Sequence, residues 1–540
     1  MFDKVLVKSP KRSRFDFSHG NSLSMEFGKL TPTEMRFIVP GDDVSISLEQ
    51  LIRVAPLPVP TFVNLKIRHD FFFVPLSMMY NQKAMDMIFN QDPTNSFRAH
   101  TDTLADYIDL FVAGADSKGP GNREPFIPGS IHDYFNLPVF SDLNLKTNGR
   151  TALAAYMSSP TASNWSALIT AITSSTKDNF SLSSLPGICL EPMLAYHYIW
   201  RDWFRFTGYA DTFTGDHWLE NHIFGPYVVQ NSIASTDNLS SIGVSSEDYH
   251  NGGTAFSSYL GVPYYAYLKK DPYTSARYGT KPAVLIPTGV AGTIPNLREA
   301  SALQKFIDIV TVTGQRYWDK IKGIFNETPS GMKCERAQLL ARYQQYIKVG
   351  EVITTATTTQ ATTGDYAGRA MLVDGKYIFK RHFTEHGWLM CISSVVPEMA
   401  YNGIDRQLVD HNILDTPIPQ FANIGDQSVA NYELRVQYDP NFPNGSSFGN
   451  QFRYYAYKAD VNRIHGDFLL QSMQPWTAIL PQGITSSLNA RDFGWVDPAV
   501  WNKIFNATSS AYPYAGRFFV DLTFHEFITR SLPKYVSYAL

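Results

Sequence analysis

The sequence predicts a mainly β protein, a jelly-roll β-sandwich or barrel with long, partly helical loop insertions. Short segments in which apolar and polar residues alternate occur near both ends of the 540-residue chain, and this period of two is typical of half-buried strands. Segments with helical spacing lie in the long connections between them. First and last strands so far apart in sequence fit a Greek-key arrangement with large inserts.

The strand pattern is clearest at 63–71, where odd positions are mostly apolar and even positions mostly polar. This strand should end at Pro75, because proline cannot donate a hydrogen bond to a neighbouring strand. Other strands are expected at 23–27, at 44–48, from Tyr377 onward with 388–396 and 452–458, and at 518–524. The β-core would therefore use both ends of the chain.

Helices are predicted where apolar residues recur every three or four positions, at 192–206, 297–310 and 315–325. The long segment 226–292 is rich in Ser, Gly, Thr and Tyr and shows neither period, so we interpret it as a surface insertion. The low-complexity run 354–363 is expected to be a loop. The predicted organisation is a basic N-terminal arm at 1–20, a core formed by 21–225 and 293–540, and the insertion at 226–292.

The composition indicates a surface that partners cover. Charged residues make up only 18% of the chain, whereas aromatic residues reach 14% and apolar residues 44%. Interface cores lose charged residues and gain aromatic ones, although a very large, well-buried monomer would share part of this composition. The net charge of −3 argues against a whole-molecule binder of polyanions, so contact with nucleic acid would need a local basic patch.

The three cysteines, Cys189, Cys334 and Cys391, are widely separated and odd in number. They form neither a disulfide framework nor a zinc motif, and they fit a reducing compartment such as the cytoplasm. The N-terminal segment lacks the continuous apolar core of a secretory signal. No apolar stretch approaches the length that spans a bilayer, so we expect no membrane insertion.

The first residues carry a cluster of basic side chains, and two phenylalanines follow closely. Cations neutralise phosphates and aromatic rings stack on bases, so this arm is our candidate for nonspecific DNA contact. A solvated tail, or an arm that binds a neighbouring subunit, would show the same composition. The candidate DNA-contact residues are Lys4, Lys8, Lys11, Arg12 and Arg14.

The sequence His382-Phe-Thr-Glu385-His386 matches the H-x-x-E-H pattern of one class of zinc peptidases. That chemistry needs both histidines on one face of a helix, whereas Phe383 and Thr384 favour a strand and a glycine follows. We therefore expect a turn or strand entry without a metal ion. The sequence also lacks a P-loop, a nucleophile elbow and a dinucleotide fingerprint. We predict no catalytic residue, metal ligand or cofactor.

Several segments, spread in order along the chain, together resemble the major capsid proteins of microviruses, especially those of the gokushovirus branch. No single motif is decisive, but their order and spacing agree over nearly the whole length. The segments are 15–19, 25–32, 39–42, 53–60, 69–75, 133–138, 194–203, 297–300, 304–305, 314–317, 385–388 and 424–429.

The resemblance implies an eight-stranded jelly roll that self-assembles into a T=1 icosahedral shell around a circular single-stranded DNA genome. It places 226–292 where related proteins have an insertion that forms protrusions at the three-fold axes, with a plausible role in host attachment. It also implies residence in the virion, assembly in the cytoplasm of a bacterial host, and partners that include internal scaffolding or DNA-pilot proteins and a host surface receptor.

Two other functions are compatible with parts of the sequence. A secreted or periplasmic β-rich protein that binds or hydrolyses glycans would also be rich in aromatics, but the absent signal sequence and the free cysteines argue against it. The second alternative is the zinc peptidase. If the protein builds a shell, the aromatic and proline-rich connections 54–60 and 476–481 are candidates for contacts between subunits, with packing inside one subunit equally compatible.

Overall fold

The computed structural model describes residues 12–55, 57, 59–79, 103–108, 126–159, 162–173, 185–204, 317–327, 336–353, 366–422, 426–438, 443–478, 502–505 and 517–534. The strands within these ranges are β1 (Ser13–Asp16), β2 (His19–Met25), β3 (Thr31–Ile38), β4 (Asp43–Val54), β5 (Leu65–Pro75), β6 (Gln338–Ile353), β7 (Tyr366–His382), β8 (Gly387–Pro397), β9 (Asp426–Ala430), β10 (Ser447–Phe452) and β11 (Phe518–Arg530). The α-helices are α1 (Leu76–Met79), α2 (Leu104–Ile108), α3 (Ile131–Tyr134), α4 (Thr147–Ser158), α5 (Ala162–Thr173), α6 (Glu191–Ile199), α7 (Tyr317–Phe325), α8 (Arg406–Val409) and α9 (Asn431–Leu434). A π-helical turn at Trp200–Phe204 extends α6, and 3-10 turns occupy Pro419–Phe421, Tyr455–Tyr457, Gly466–Leu469, Gln471–Trp476 and Asn502–Ile504.

One curled antiparallel sheet forms the centre of the molecule, with the strand order β1-β11-β4-β7-β6-β5-β8-β3. Strand β2 also pairs with β11, so β1 and β2 together form one edge of the sheet. The sheet turns over at β6, whose residues 338–347 pair with β5 and whose residues 348–353 pair with β7. The turn brings β11, β4 and β7 opposite β5 and β8, which confirms the predicted β-sandwich with loop insertions.

The layer of β11, β4 and β7 has one buried face and one exposed face, as its alternating sequence predicts. In β11, Phe518, Val520, Leu522 and Phe524 are buried, whereas Phe519 between them is exposed. The buried side chains pack against the inward faces of β5 and β8 and form the core of the sandwich. This agreement confirms the strand predicted at 518–524.

Strand β8 and the part of β5 from Phe71 onward are covered on both faces, which explains why these segments are mostly apolar, whereas the first half of β5 alternates. In β5, Phe71 and Phe73 face the sandwich core, while Phe72 and Val74 face the helical layer. The strand ends at Pro75, as expected. At the start of β8, Gly387 lies so close to Phe73 that an added Cβ would meet its ring at 2.6 Å.

A helical layer covers the outer face of β5 and β8 and forms a second hydrophobic core. Helix α6 begins at Glu191, and its second residue is a proline, which suits the first helical turn. The Trp388 indole of β8 donates a 2.9 Å hydrogen bond to the Glu191 carboxylate and so connects the helix to the sheet. The helices predicted at 192–206 and 315–325 are therefore confirmed.

Other parts of the predicted architecture differ. A strand was expected at 452–458, but β10 ends at Phe452 because Tyr454 has a left-handed backbone, with φ of 61°, and a 3-10 turn follows. The β6 strand and the α4–α5 pair were not predicted. The predicted helix 297–310, the insertion 226–292 and the loop 354–363 lie outside the described residues. Among the described residues neither Cys189 nor Cys391 forms a disulfide, and Cys334 also lies outside these ranges.

Candidate functional site

Two cations of the predicted basic arm lie in the described part of the chain. The Arg12 guanidinium donates to the Asp43 carboxylate at 2.7 Å and to the backbone carbonyl of Gly41. The Arg14 guanidinium lies over the ring of Phe527, 4.1 Å from its centre, on the neighbouring strand β11. Lys4, Lys8 and Lys11 lie outside the described residues. Arg12 thus helps to fix the place where the arm joins the sheet.

The H-x-x-E-H segment does not gather its three side chains around one point. His382 is the last residue of β7 and contacts Asp43 at 2.7 Å and Glu327 at 3.0 Å. The Glu385 carboxylate accepts a hydrogen bond from Ser77, and the His386 ring bonds the Tyr317 hydroxyl at 2.9 Å. The segment is a turn between β7 and β8, as predicted, and the geometry does not form a peptidase site.

A chain of hydrogen bonds crosses the sandwich core and centres on His69. Its Nε2–H donates to the Gln50 side-chain carbonyl at 2.9 Å, and its Nδ1 accepts from the Ser393 hydroxyl at 2.7 Å. The Ser393 oxygen is 2.8 Å from the Thr33 hydroxyl. On the other side, the Gln50 amide nitrogen donates to the Tyr343 hydroxyl, and this hydroxyl donates to the Asp374 carboxylate.

The contact of Ser393 with His69 resembles part of a hydrolase triad but lacks two of its requirements. Both residues are fully buried, and the second ring nitrogen of His69 meets the amide of Gln50 rather than a carboxylate that would stabilise an imidazolium. Burial lowers the pKa of His69 to about 3, so the ring is neutral. The chain therefore satisfies buried polar groups and fixes the register of strands β4, β5 and β8.

A cluster of four ionisable side chains, which we call the seam cluster, consists of His19, Glu34, Arg36 and Glu526. It spans the two ends of the curled sheet, since β3 pairs with β8 and β2 pairs with β11. His19 Nε2 lies 2.7 Å from Glu34 Oε2. Arg36 lies 3.0 Å from the other oxygen of Glu34 and 2.9 Å from Glu526 Oε2. Strands β3 and β11 are not joined by a backbone ladder among the described strands, and the side chains of the cluster connect them instead.

Burial and pairing shift the pKa values of the seam cluster. The hydrogen bond with Glu34 raises the pKa of His19 to about 9. Burial, reinforced by the nearby Glu34 charge, raises the pKa of Glu526 to about 7 although Arg36 opposes the shift. The sequence offered one signal of this site, because Glu526 is a charge at an inward-facing position of β11.

Within the described ranges, His19, Glu34 and Glu526 are the one group of metal-ligating side chains whose donor atoms lie within 4.8 Å of one another. Arg36 already occupies an oxygen of each glutamate, and His19 occupies the second oxygen of Glu34. The cations of the protein therefore balance the two carboxylates, and we interpret the group as an ion-paired seam rather than a metal centre.

Among the described residues, large apolar side chains are exposed at several places, and two of these bear on the sheet and on the connection 54–60. On the outer face of the β11–β4–β7 layer, the exposed residues are Met371, Val373, Tyr377 and Phe519. Near the connection 54–60, Phe62 is 69% exposed and its ring packs on Trp476 at 5.7 Å between ring centres. Leu57, by contrast, is buried in the sandwich core. The connection 54–60 therefore contains an internally packed residue, and Trp476 of the connection 476–481 packs on the exposed ring of Phe62 just beyond it.

A comparison of the sequence with models of protein families identifies one family that the chain matches. Residues 5–135 and 271–484 match the family model described as "Capsid protein (F protein)" of phages. The matched regions contain strands β1 to β10, the H-x-x-E-H turn and three members of the seam cluster, and they leave out β11 with Glu526. The helices α4 and α5 fall in the unmatched stretch.

Three curated proteins are similar to this chain over most of its length, and each is named "Capsid protein VP1". The protein of Chlamydia phage 1 is 24% identical over 531 residues, which cover 86% of each chain. The proteins of Bdellovibrio phage phiMH2K and Spiroplasma virus 4 are also 24% identical and cover 86% of this chain, with 84% and 83% of their own lengths. Among the described helices, none is both long and apolar enough to cross a membrane.

Proposed function

The chain belongs to the phage capsid protein (F protein) family, and from this premise we propose that copies of it close into a T=1 icosahedral shell around a circular single-stranded DNA genome. Its role as a microvirus capsid protein is structural and places it in the virion. The observation that carries the proposal is the family match on both sides of the long central segment, together with the β-sandwich. We propose no catalytic residue, metal or cofactor.

Self-assembly is supported by the surface of the sandwich. The outer face of the β11–β4–β7 layer presents Val373, Tyr377 and Phe519, each more than half exposed. The charged fraction of the whole chain is only 18%. Grouped exposed apolar side chains, and a low charged fraction in the chain as a whole, are typical of proteins whose surfaces partners cover. In a closed shell, modest contacts suffice because several neighbours hold each subunit at once.

Genome contact is proposed for the basic arm. Lys4, Lys8 and Lys11 supply charge for phosphates, while Arg14 already lies over the Phe527 ring and offers a cation beside an aromatic surface. Arg12 is paired with Asp43, so we give it an anchoring role before any role in DNA contact. Binding would be nonspecific and strongly dependent on salt, because phosphate neutralisation releases counterions.

The insertion at 226–292 is proposed to form a protrusion that takes part in host attachment. Its Ser-, Gly- and Thr-rich composition suits a solvated projection. The family match stops at 135 and resumes at 271, so most of the insertion lies in the part of the chain where this protein departs from the family pattern. We further propose assembly in the bacterial cytoplasm, with scaffolding or DNA-pilot proteins as partners and a host surface receptor.

Purified particles provide the test of shell and genome together. The chain is produced with the other structural proteins of its phage, and the particles are sized by negative-stain microscopy. We expect shells of one diameter whose extracted nucleic acid is degraded by a single-strand-specific DNase and resists RNase and restriction enzymes that need a duplex. A small monodisperse species that binds or cleaves glycans would replace this proposal with the glycan-active alternative.

A further inference from the structure

Helix α8 (Arg406–Val409) has the reverse of the usual arrangement of charged and apolar side chains. Arg406 has a side chain only 15% exposed, and it donates to the Ser428 carbonyl at 2.7 Å and to the Glu433 carboxylate at 2.9 Å. Leu408, two residues later, is 82% exposed. Isolated proteins favour the opposite arrangement, because burying a charge is costly whereas burying a leucine is favourable.

The exposed leucine belongs to a continuous surface. The Gln407 amide donates to the Ala456 carbonyl at 2.8 Å, and the Tyr454 hydroxyl donates to the Leu414 carbonyl at 3.0 Å. These bonds hold the segment after α8 against the 3-10 turn at Tyr455–Tyr457. The surface so formed, which we call the α8 patch, consists of Leu408, Ile413, Leu414, Tyr455 and Tyr457, all exposed.

The segment that carries the α8 patch contributes little to either hydrophobic core. Of its described residues between 398 and 478, only Met399 and Ala478 pack into the two cores. The carboxylates of Asp405 and Asp410 beside the patch are paired within the segment, since Asp405 lies 2.7 Å from Arg463 and Asp410 lies 3.2 Å from Arg406. The segment thus keeps the Arg406 charge mostly buried while it exposes the five large apolar side chains of the patch.

We propose that the α8 patch is an interface between copies of this chain and is covered in the assembled shell by an apolar surface of a neighbouring copy. This inference rests on the proposed shell function. The patch itself is apolar and the carboxylates of Asp405 and Asp410 beside it are already paired, so its complement is another apolar surface and not a phosphate backbone or a glycan. A head-to-tail contact of this kind repeats around a symmetry axis and closes into a ring.

Two substitutions test the interface, Leu408→Asp and Ile413→Asp. The matched control is Leu143→Asp, which introduces the same charge at a leucine that is 97% exposed on the helical side of the molecule. Each variant is produced with the other structural proteins of the phage, and assembly is measured by sedimentation velocity. A buried charge in the interface should lower the fraction in shells by roughly tenfold or more, the effect of a loss of about 1.4 kcal/mol, while the control assembles normally.

The thermal stability of each unassembled variant is measured in parallel. All three positions are exposed, so each unassembled variant should keep the melting temperature of the wild type. If wild-type shells form and the two patch variants assemble as well as the control, the inference fails while the proposed function stands. If the wild-type chain forms no shells at all, both fail together.

A photo-crosslinking amino acid placed at Leu408 in wild-type particles identifies the occupant directly. A product of twice the chain mass that contains only this chain supports the proposal. A crosslink within one chain, or a crosslink to another phage protein, would overturn it by showing a different cover for the patch.

Discussion

Arg36 of β3 donates two hydrogen bonds, of 2.9 and 3.2 Å, to one oxygen of Glu526 in β11. The two residues are 490 positions apart in sequence and connect opposite ends of the curled sheet. Glu526 is fully buried, so its charge depends on this partner. The seam cluster therefore holds β3 and β11 together through side chains, whereas neighbouring strands of the sheet are held together by backbone hydrogen bonds.

Removing the cation tests this role. Arg36→Met keeps most of the side-chain volume but leaves Glu526 buried without its partner, and breaking a buried pair in this way costs about 3 kcal/mol. We expect that loss in the free energy of urea unfolding of the unassembled chain at pH 8. Arg53→Met, on the exposed face of β4, is the control and should change stability by less than about 0.5 kcal/mol. Equal losses of unfolding free energy in the two variants would show that the pairing of Arg36 with Glu526 does not stabilise the fold.

The seam cluster also predicts a stability that depends on pH. The pKa of His19 is about 9 in the folded protein and near 6.5 when unfolded. The folded state therefore holds this proton more tightly, and the contribution of His19 is complete below pH 6.5 and is lost as the pH rises through 9. His19→Gln should cost about 1 kcal/mol at pH 6, a value reduced for the partial exposure of the ring. At pH 10 the cost should nearly vanish, and an unchanged cost across this range would contradict the assignment.

His69, which is fully buried, predicts the opposite slope. Burial lowers the pKa of His69 to about 3, so between pH 6.5 and 3 the unfolded chain binds a proton that the folded chain does not. His69 therefore supports the fold above pH 6.5 and weakens it as the solution is acidified. His69→Gln should make unfolding less sensitive to acid between pH 6.5 and 4.5, measured by urea titration at each pH. The exposed His411→Gln serves as the control and should leave the acid profile as it is.

The basic arm gives a prediction about DNA content. Replacing Lys4, Lys8 and Lys11 by Ala removes three candidate phosphate contacts, and for single-stranded DNA this should lower the slope of log affinity against log salt by about 2. This variant should form particles as efficiently as the wild type, but the particles should contain less DNA.

An equal-charge control separates contact from net charge. It replaces Lys348, Lys380 and Lys534, which are exposed elsewhere on the described surface. If the control loses as much DNA as the arm variant, the arm makes no particular contact. Arg12→Ala should instead lower stability at the β1 edge, because Arg12 binds Asp43.

The strands of the sandwich could be predicted from sequence where one face of the strand is buried along its length, or where both faces are. The alternation in β11 and the proline that ends β5 both gave correct predictions. Strand β8 was recognised as a buried run because both of its faces are covered. The 452–458 prediction was wrong because alternation cannot reveal the left-handed backbone of Tyr454.

The side-chain clusters of the candidate site were much harder to predict from the sequence. Arg36 and Glu526 meet only after the sheet has curled, and no local pattern links positions so distant. His69 lies in a strand-like segment that gave no sign of its contacts with Gln50 and Ser393. By contrast, the H-x-x-E-H segment looked like a site and is a turn, because a motif specifies residue types but not the directions in which their side chains point.

Electron cryomicroscopy of purified particles tests the central claim most directly. We expect a closed shell with T=1 symmetry, in which density for one curled β-sandwich fills each position and the α8 patch lies against a neighbouring copy. Particles that prove to be single chains or small open oligomers, under conditions where the sandwich is folded, would contradict the account.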